Sequence, residues 1–591
     1  MTPSPLAPRL AQRPAQPMAR DRLVFAGLHP VLADCLARRG VDDAAALDPA
    51  LHRLLPARGL RNMEVAAREI GQAILSGQRL LIVGDYDADG ATASAVMLRG
   101  LQRLGAAVSF LVPDRFRFGY GLTPGLVAEL ATAEAGALPH WIITVDNGIS
   151  SFAGIKAAQD LGIQVLVTDH HLPGPTLPEA LIINPQRADC GFASKHLAGV
   201  GVAFYLVVAI RAWLAQESPQ HQGQELPRID DLLSLVALGT VADLVRLDEN
   251  NRRLVQQGLL RIRRGLAPAG LLALFEAAGR PYQEATAHDL GFFIGPRLNA
   301  AGRLADMRIG IRCLTTDDPA EARALATELH TLNQARRELQ QTQSESASQQ
   351  AAELVAATSG PSHGQAAQKA LVLFDPSWHQ GVVGLIAGRI KDQTHRPTLA
   401  FAPAEPGAEL LKGSGRSVPG VHLRDLLARI DSLAPGLMTA FGGHAMAAGL
   451  SLPQTRLAEF TTLLHQVADE LVDPSLLSPI LITDGPLDPT DISLETAQAL
   501  SQQIWGQGFP VPIFQNRFLV RQQHRLKDRH LKLDLVLADD PRRRLAGIWF
   551  DGPSLLPTEV VLAYQLEVNT YMGLSSLQLQ IQAAEPLNPL H

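Results

Sequence analysis

The chain has 591 residues, and at ~150 residues per domain that length allows three to five domains. Apolar residues make up 46% and charged residues only 19%, which excludes a disordered polyelectrolyte. The net charge of −6 excludes a surface that is basic all over, so any nucleic-acid site must be local.

Cys35, Cys190 and Cys313 are too far apart for a disulfide framework or a Cys-x-x-Cys metal knuckle, and they fit a reducing cytosol. The first twenty residues are rich in Pro, Ala and Arg without an apolar signal segment, and read as a frayed tail. The longest uncharged apolar run, Leu197 to Ile210, has 14 residues, short of the ~18 that span a bilayer. A soluble, cytoplasmic, monomeric protein with no membrane contact is expected.

From about Leu80 to Pro185, short β-rich runs alternate with Ala-rich helical pieces. RLLIVGD, AAVSFLVPD, HWIITVDNG, IQVLVTDHH and ALIINP each end in polar residues, Gly or Pro. This rhythm predicts a doubly wound, mostly parallel sheet with its ligands at the carboxyl ends of the strands. Residues 197–265 read as mostly helical. Further on, Asp318 predicts an N-cap, with Pro319 at the first helical position and Glu321 three residues later. No Gly or Pro follows until Gly360-Pro361, so one helix of ~58 Å is expected, a rigid spacer striped by Leu325, Leu329, Leu332 and Leu339.

A second α/β segment begins at KALVLFDPSW. The runs FLVRQQ, HLKLDLVLA, LAGIWF and LQLQIQAA then predict a small antiparallel barrel or sandwich. The fold class is α/β multidomain. Its expected divisions are an N-terminal tail and helical segment (1–60), the parallel-sheet domain (61–270), a helical linker with the long helix (271–364), the second α/β domain (365–470) and the β-barrel (475–591).

Polar residues cluster at the strand ends. Asp85, Asp87 and Asp89 place three carboxylates within five residues, tolerable mainly around a cation. An EF-hand is excluded, because the twelfth loop position is Val96 and the flank is a strand. Helix capping by Asp is the competing account. Asp146-Asn147-Gly148 and Asp169-His170-His171 end the next two runs, and Asp243 interrupts an apolar helical stretch. Aspartate and histidine without cysteine suit Mn²⁺ or Mg²⁺, and so many ligands suggest two ions ~3.5–4 Å apart, an arrangement that serves phosphoryl transfer.

These motifs, DYDADG (85–90), VDNG (145–148), DHH (169–171) and GTVADLV (239–245), resemble in their order the DHH phosphoesterase family. The resemblance implies that Asp87, Asp89, Asp146, His170 and Asp243 are metal ligands, with Asp146 bridging, and that Asp85 and His171 are close supports. PDRFRFGYGL, PRLNAAGRL, WHQGVVGLIAGRI, GSGRS and GGHAMAAGL resemble the single-strand DNA exonucleases of that family, over about residues 60–580. That implies a DHH catalytic domain, a DHH-associated domain facing the metal site across a cleft, and a C-terminal OB fold. It also implies phosphate contacts for Arg297 and a 5′-phosphate pocket of Arg115, Ser414 and Arg416. Arg303 and Asn299 beside Arg297, and His444, are further phosphate-binding candidates. In GSGRS the small residues let backbone N–H groups and the Arg416 guanidinium approach a phosphate. At Trp505-Gly506-Gln507-Gly508-Phe509-Pro510 the chain departs from the family's Gly-Asn-Pro turn.

Residues 515–550 hold nine basic against four acidic residues. Arg521, Arg525, Lys527, Arg542, Arg543 and Arg544 are the candidate nucleic-acid contacts, with Phe514, Phe518, Trp549 and Phe550 among or beside the charges. The implied activity is 5′→3′ exonucleolytic hydrolysis of single-stranded DNA in recombination and repair. The partners would be a strand with a 5′ end, a single-strand-binding protein and a repair helicase. A DHH phosphodiesterase for short oligoribonucleotides or cyclic dinucleotides needs no remote basic surface. A non-catalytic single-strand-binding scaffold needs no full ligand set.

Overall fold

The computed structural model describes residues 8–114, 117–132, 138–217, 225–358, 368–527, 529–552, 555–571 and 573–586. They divide by packing into two units. One holds Val41–Gln334 with Gln503–Val511; the other holds the described parts of Met1–Gly40, Ala335–Gln502 and Pro512–His591.

The first unit is built on five parallel strands: β1 (Arg79–Gly84), β2 (Ala107–Leu111), β3 (Trp141–Val145), β4 (Gln164–Thr168) and β5 (Leu181–Ile183). β1, β3 and β4 are buried almost throughout, which is why they read as unbroken apolar runs. The spatial order is β2-β1-β3-β4-β5, so the winding reverses between β1 and β3, where sheets of this kind bind ligands. Gly84 pairs with Val145, and Val145 with Thr168. Asp85, Asp146 and Asp169, each the next residue in its chain segment, therefore emerge side by side.

Helix α1 (Ala88–Arg103) is buried from Ala88 to Leu101, and its small residues allow close packing. A Cβ on Gly100 would come within 2.6 Å of Val207 in α2 (Gly199–Glu217). α2 carries the long apolar run and is long and apolar enough to cross a membrane by length and composition. Its buried residues, Val200 through Val207 with Ile210 and Leu214, give it instead the packing of a core helix. Next come α3 (Leu233–Ala242) and α4 (Gly295–Leu304). α4 follows a π turn at Leu290–Ile294, just before Pro296, whose missing N–H disrupts the regular ladder.

The long helix α5 (Pro319–Thr358) is continuous over 40 residues, and Asp318 Oδ1 accepts from Ala320 N at 2.9 Å at its start. Leu325 and Leu329 are buried, and further along Leu339, Ala347 and Ala351 join a core of the second unit.

In that unit β6 (Leu371–Phe374), β7 (Thr398–Pro403), β8 (Leu410–Arg416), β9 (Ala440–Gly443) and β10 (Ala447–Pro453) form a mixed sheet ordered β9-β10-β8-β7-β6. Alternation along β7 serves two cores. Leu399 and Phe401 pack with Phe460 and Leu464, whereas Ala400 and Ala402 pack with Ile386 and Ile390 of α6 (Val383–Thr394).

The expected approach of a phosphate to the backbone N–H groups of GSGRS is corrected: residues 413–416 end β8, and Ser414 pairs with Ala400 on one side and Gly449 on the other. Its amides belong to the ladders and are closed to a phosphate. The glycines make room for the core, since a Cβ on Gly413 would lie 2.4 Å from Phe401 and one on Gly415 2.6 Å from Leu423. GGHAMAAGL is a hairpin, with His444 N donating to Ala447 O at 2.8 Å.

The C-terminal strands β11 (Phe514–Leu526), β12 (His530–Leu537), β13 (Arg544–Trp549), β14 (Glu559–Tyr571) and β15 (Leu574–Pro586) close a barrel in the order β11-β12-β13-β15-β14. The β13–β15 pair is parallel and the others antiparallel. Phe514, Phe518 and Tyr564 fill its interior.

The frayed-tail reading is also corrected from residue 8 onward. Arg9–Gln12 pairs in parallel with Ile480–Thr483, and buried Arg39 donates to both oxygens of Asp484, at 2.7 and 2.9 Å.

Candidate metal centre and nucleic-acid surfaces

At the sheet's reversal point the structure gathers the four acidic motifs. Ligand atoms of Asp85, Asp87 and Asp146 lie within 4.8 Å of one another, as do those of Asp89, His170 and Asp243, and those of Asp146, His170 and His171. Asp146 and His170 thus link the groups: His170 Nε2 is 3.0 Å from Asp146 Oδ1, 3.6 Å from Asp243 Oδ2 and 3.8 Å from Asp89 Oδ2.

Local structure explains each position. Asp87 caps α1, its Oδ1 accepting from Gly90 N at 2.9 Å, so the capping account and the ligand account hold together. Asp89 is buried in the first turn and accepts from Gly199 N at 2.6 Å and Val200 N at 2.9 Å. Asp146 adopts φ +61°, in the left-handed region, immediately after β3. A Cβ on Gly199 would come within 2.6 Å of Asp146 Cβ, so only glycine lets α2 start this close. Asp243 follows α3 at its negative end, where a carboxylate is disfavoured without a compensating cation.

The electrostatics agree. Burial, then the charge of Asp87, raise Asp89 to about 7 against the pull of the Val200 and Gly199 amides. Burial with Asp89 and Asp87 pushes both Asp146 and Asp243 well above the ordinary carboxylate range. Asp146 Oδ1 is buried and has no hydrogen bond among the described residues, although an imidazole faces it. Crowded oxygens with this deficit fit divalent cations, and the oxygen-rich donor set fits Mn²⁺ or Mg²⁺.

Asp169 has a different task. It accepts from the amides of Ile149, His170 and His171, and its Oδ1 lies 2.7 Å from His171 Nδ1. Burial alone would lower the His171 pKa, but the Asp169 contact outweighs it and raises the ring to about 9. This orienting role follows from the strand-end turn and was not evident from the triplet alone. Tyr120 was also missed. Its hydroxyl donates to Asp146 O at 3.3 Å, and its ring meets those of Tyr86 and His171 edge-on.

PRLNAAGRL buttresses the acidic loop. Asn299 Oδ1 accepts from Ala88 N at 2.8 Å, and a Cβ on Gly302 would lie 1.7 Å from Tyr86 O. Arg297 is buried, donating to Phe293 O, with His330 Nδ1 3.1 Å from its Nη2; Arg303 is half-buried in the last turn of α4.

In the second unit, Arg416 lines a cavity of about 510 Å³ with Gln340, Gly384, Gly388, Arg389, Asp392 and Gln393. Its Nη1 donates to Ser414 Oγ at 3.1 Å and Gly415 O at 2.8 Å, and no carboxylate among the described residues pairs with it. Arg115 lies outside the described residues. His444 is exposed on its hairpin.

On the barrel, Arg521, Arg525, Lys527 and Arg542 are exposed, and Phe550 is 51% exposed. One expected contact is corrected: Arg543 donates to the carbonyls of Pro489 and Ile492 and so braces the barrel, whereas Arg544 is exposed and pairs with Asp534 on the neighbouring strand.

Residues 79–240 match the DHH family, N-terminal domain; residues 367–470 match the DHHA1 domain; and residues 483–583 match the RecJ OB domain. The single-stranded-DNA-specific exonuclease RecJ of Salmonella typhimurium is 47% identical over 95% of this chain and 97% of its own. That of Escherichia coli is 46% identical with the same coverage. The crystal structure of Thermus thermophilus RecJ with Mn²⁺ superposes with a TM-score of 0.80 at 30% identity, covering 98% of this chain and 80% of that one. Its Mg²⁺ complex gives 0.75 at 28%. Identity of this order along nearly the whole of both chains, on the same fold, makes the chain a member of the RecJ family.

Proposed function

We propose that the protein is a metal-dependent exonuclease that hydrolyses single-stranded DNA in the 5′→3′ direction during recombination and repair. The observation that carries this reading is the pair of acidic groups joined through Asp146 and His170. Asp87, Asp89, Asp146, His170 and Asp243 would hold two divalent cations, with Asp85 beside them. When bound, such cations acidify the attacking water and neutralise phosphate charge. His171, kept protonated by Asp169, presents positive charge to the substrate phosphate. The family relatives' named activity and the complete ligand set favour this reading over the small-substrate and scaffold alternatives.

The polarity rests on Ser414 and Arg416 as contacts for a 5′-phosphate. A guanidinium that pairs with no carboxylate among the described residues, beside a hydroxyl and two glycines, suits an anion. Arg521, Arg525, Lys527 and Arg542 guide the rest of the strand, and Phe550 offers a ring for base stacking. The enzyme works as a cytoplasmic monomer, recruited by a single-strand-binding protein and a repair helicase; its three free, buried cysteines accord with a reducing compartment. The test is digestion of a single strand labelled at either end. Early release of the 5′ label as mononucleotide supports the reading, and early release of the 3′ label refutes the polarity.

A further inference from the structure

Four of the proposed ligands are fixed by regular structure: Asp87 and Asp89 by α1, Asp146 and His170 by the ends of buried strands. Asp243 differs. It is the last residue held by α3, the side chain is 23% exposed, and the chain turns away through Leu244 at φ +58°. Leu244 and Arg246 are exposed, so the turn has little core of its own.

Asn251 Nδ2 holds it from the next helix, donating to Arg246 O at 2.9 Å, and a loop from far along the chain pins it further. Gln503–Val511 packs with the first unit although the chain on both sides of it belongs to the second. The loop is a tight turn closed by Gly506 N to Phe509 O at 2.9 Å and Phe509 N to Gly506 O at 3.0 Å, with Gly508 at φ +69°. Gln507 O accepts from Leu247 N at 2.8 Å. Phe509 is buried, stacked on Trp505 with centroids 5.3 Å apart, and the Arg252 guanidinium lies 4.2 Å from its ring. Arg252 Nη1 in turn donates to Leu247 O at 3.0 Å. Leu247 is thus held at both its amide and its carbonyl, four residues after Asp243. Side chains at Gly506 and Gly508 would collide with Leu247 and Arg246, at 2.7 and 2.4 Å.

We propose that the Trp505–Phe509 loop is a positioning element for the metal centre, fixing the Asp243 carboxylate by clamping the turn that follows it. The proposal rests on the reading of Asp243 as a metal ligand. Outer groups that orient ligands typically contribute 10–100-fold to metal affinity, whereas a loop that only stabilises the fold contributes none to the folded protein.

The test uses the full chain, titrated with Mn²⁺ by electron paramagnetic resonance, with rates on a 5′-phosphorylated single strand at varied Mn²⁺ and thermal melting in chelator. Phe509→Ala is expected to weaken binding of one Mn²⁺ about tenfold and to lower kcat without changing KM for DNA, with kcat returning at high Mn²⁺. Phe509→Tyr, which keeps the ring, should behave as the parent. Arg252→Gln, a milder lesion, should shift Mn²⁺ affinity in the same direction and serves if Phe509→Ala does not fold. A folded Phe509→Ala or Arg252→Gln protein with a lower melting temperature but unchanged Mn²⁺ affinity would overturn the proposal. Asp243→Asn separates the two claims. If it loses a Mn²⁺ while the loop variants do not, positioning fails and the ligand reading stands; if it binds Mn²⁺ as the parent does, the ligand reading itself fails.

Discussion

His170 Nε2 sits 3.0 Å from Asp146 Oδ1, and this contact joins the two acidic groups at the sheet's reversal point. Asp146 holds that position at φ +61°, a conformation that asparagine tolerates and alanine does not favour. Asp146→Asn should therefore cost at least 10³-fold in hydrolysis while its chelated form melts no lower than the chelated parent, because one of the repelling buried carboxylates has gone. Asp146→Ala should lose activity equally and about 1 kcal/mol of stability besides. Rates and melting curves of both variants check this.

The raised carboxylates predict a pH dependence with a definite sign. Asp89 ionises at about 7 in the folded protein against 3.8 when unperturbed. Its contribution to stability is full below the lower value and is lost as pH rises through about 7. The chelated protein should therefore melt at a lower temperature at pH 8 than at pH 6. Protons and cations compete for these oxygens, so added Mn²⁺ should raise the melting temperature more at pH 8 than at pH 6. A chelated protein equally stable at both values would contradict this.

Arg416 pairs with no carboxylate among the described residues, which leaves its charge available to an anion. Arg416→Ala should reduce the preference for a 5′-phosphorylated over a 5′-hydroxyl strand by roughly 10–100-fold, in line with one charge-assisted hydrogen bond, and leave Mn²⁺ affinity unchanged. Gly384→Val should act alike by a different route, since its Cβ would stand 2.9 Å from Ser414 Oγ and 3.0 Å from Arg416 Nη2. Competition between the two strand types measures both.

The barrel's basic residues should separate into two kinds. Arg521→Ala and Lys527→Ala should each flatten the salt dependence of strand binding, by ~0.7 in log–log slope per lost phosphate contact. Arg543→Ala should instead lower the melting temperature, because this side chain holds the barrel to Pro489 and Ile492. Binding isotherms at several salt concentrations distinguish the groups.

Much of this was legible in the sequence for a physical reason. A strand buried on both faces must be apolar throughout, so the polar residues ending RLLIVGD, HWIITVDNG and IQVLVTDHH stood out as the ligand edge. The long helix was equally plain, because Asp318-Pro319 starts it and no breaker follows for some forty residues. The GSGRS strand was hidden by Gly413 and Gly415, whose reason lies in Phe401 and Leu423 across the core. The ordered strand at Arg9–Gln12 depends on a partner more than 450 residues away. The fate of Arg543 and the clamp on Leu247 likewise depend on contacts that no local pattern encodes.

The central claim is that these side chains form one centre for two cations. The most direct measurement is the number of Mn²⁺ ions bound per chain at pH 8, with the electron paramagnetic resonance spectrum recorded at saturation. The account predicts two ions with the spectrum of an exchange-coupled pair, and in Asp146→Asn fewer than two ions with no coupling. A single ion in the parent protein, or two coupled ions that persist in Asp146→Asn, would contradict it.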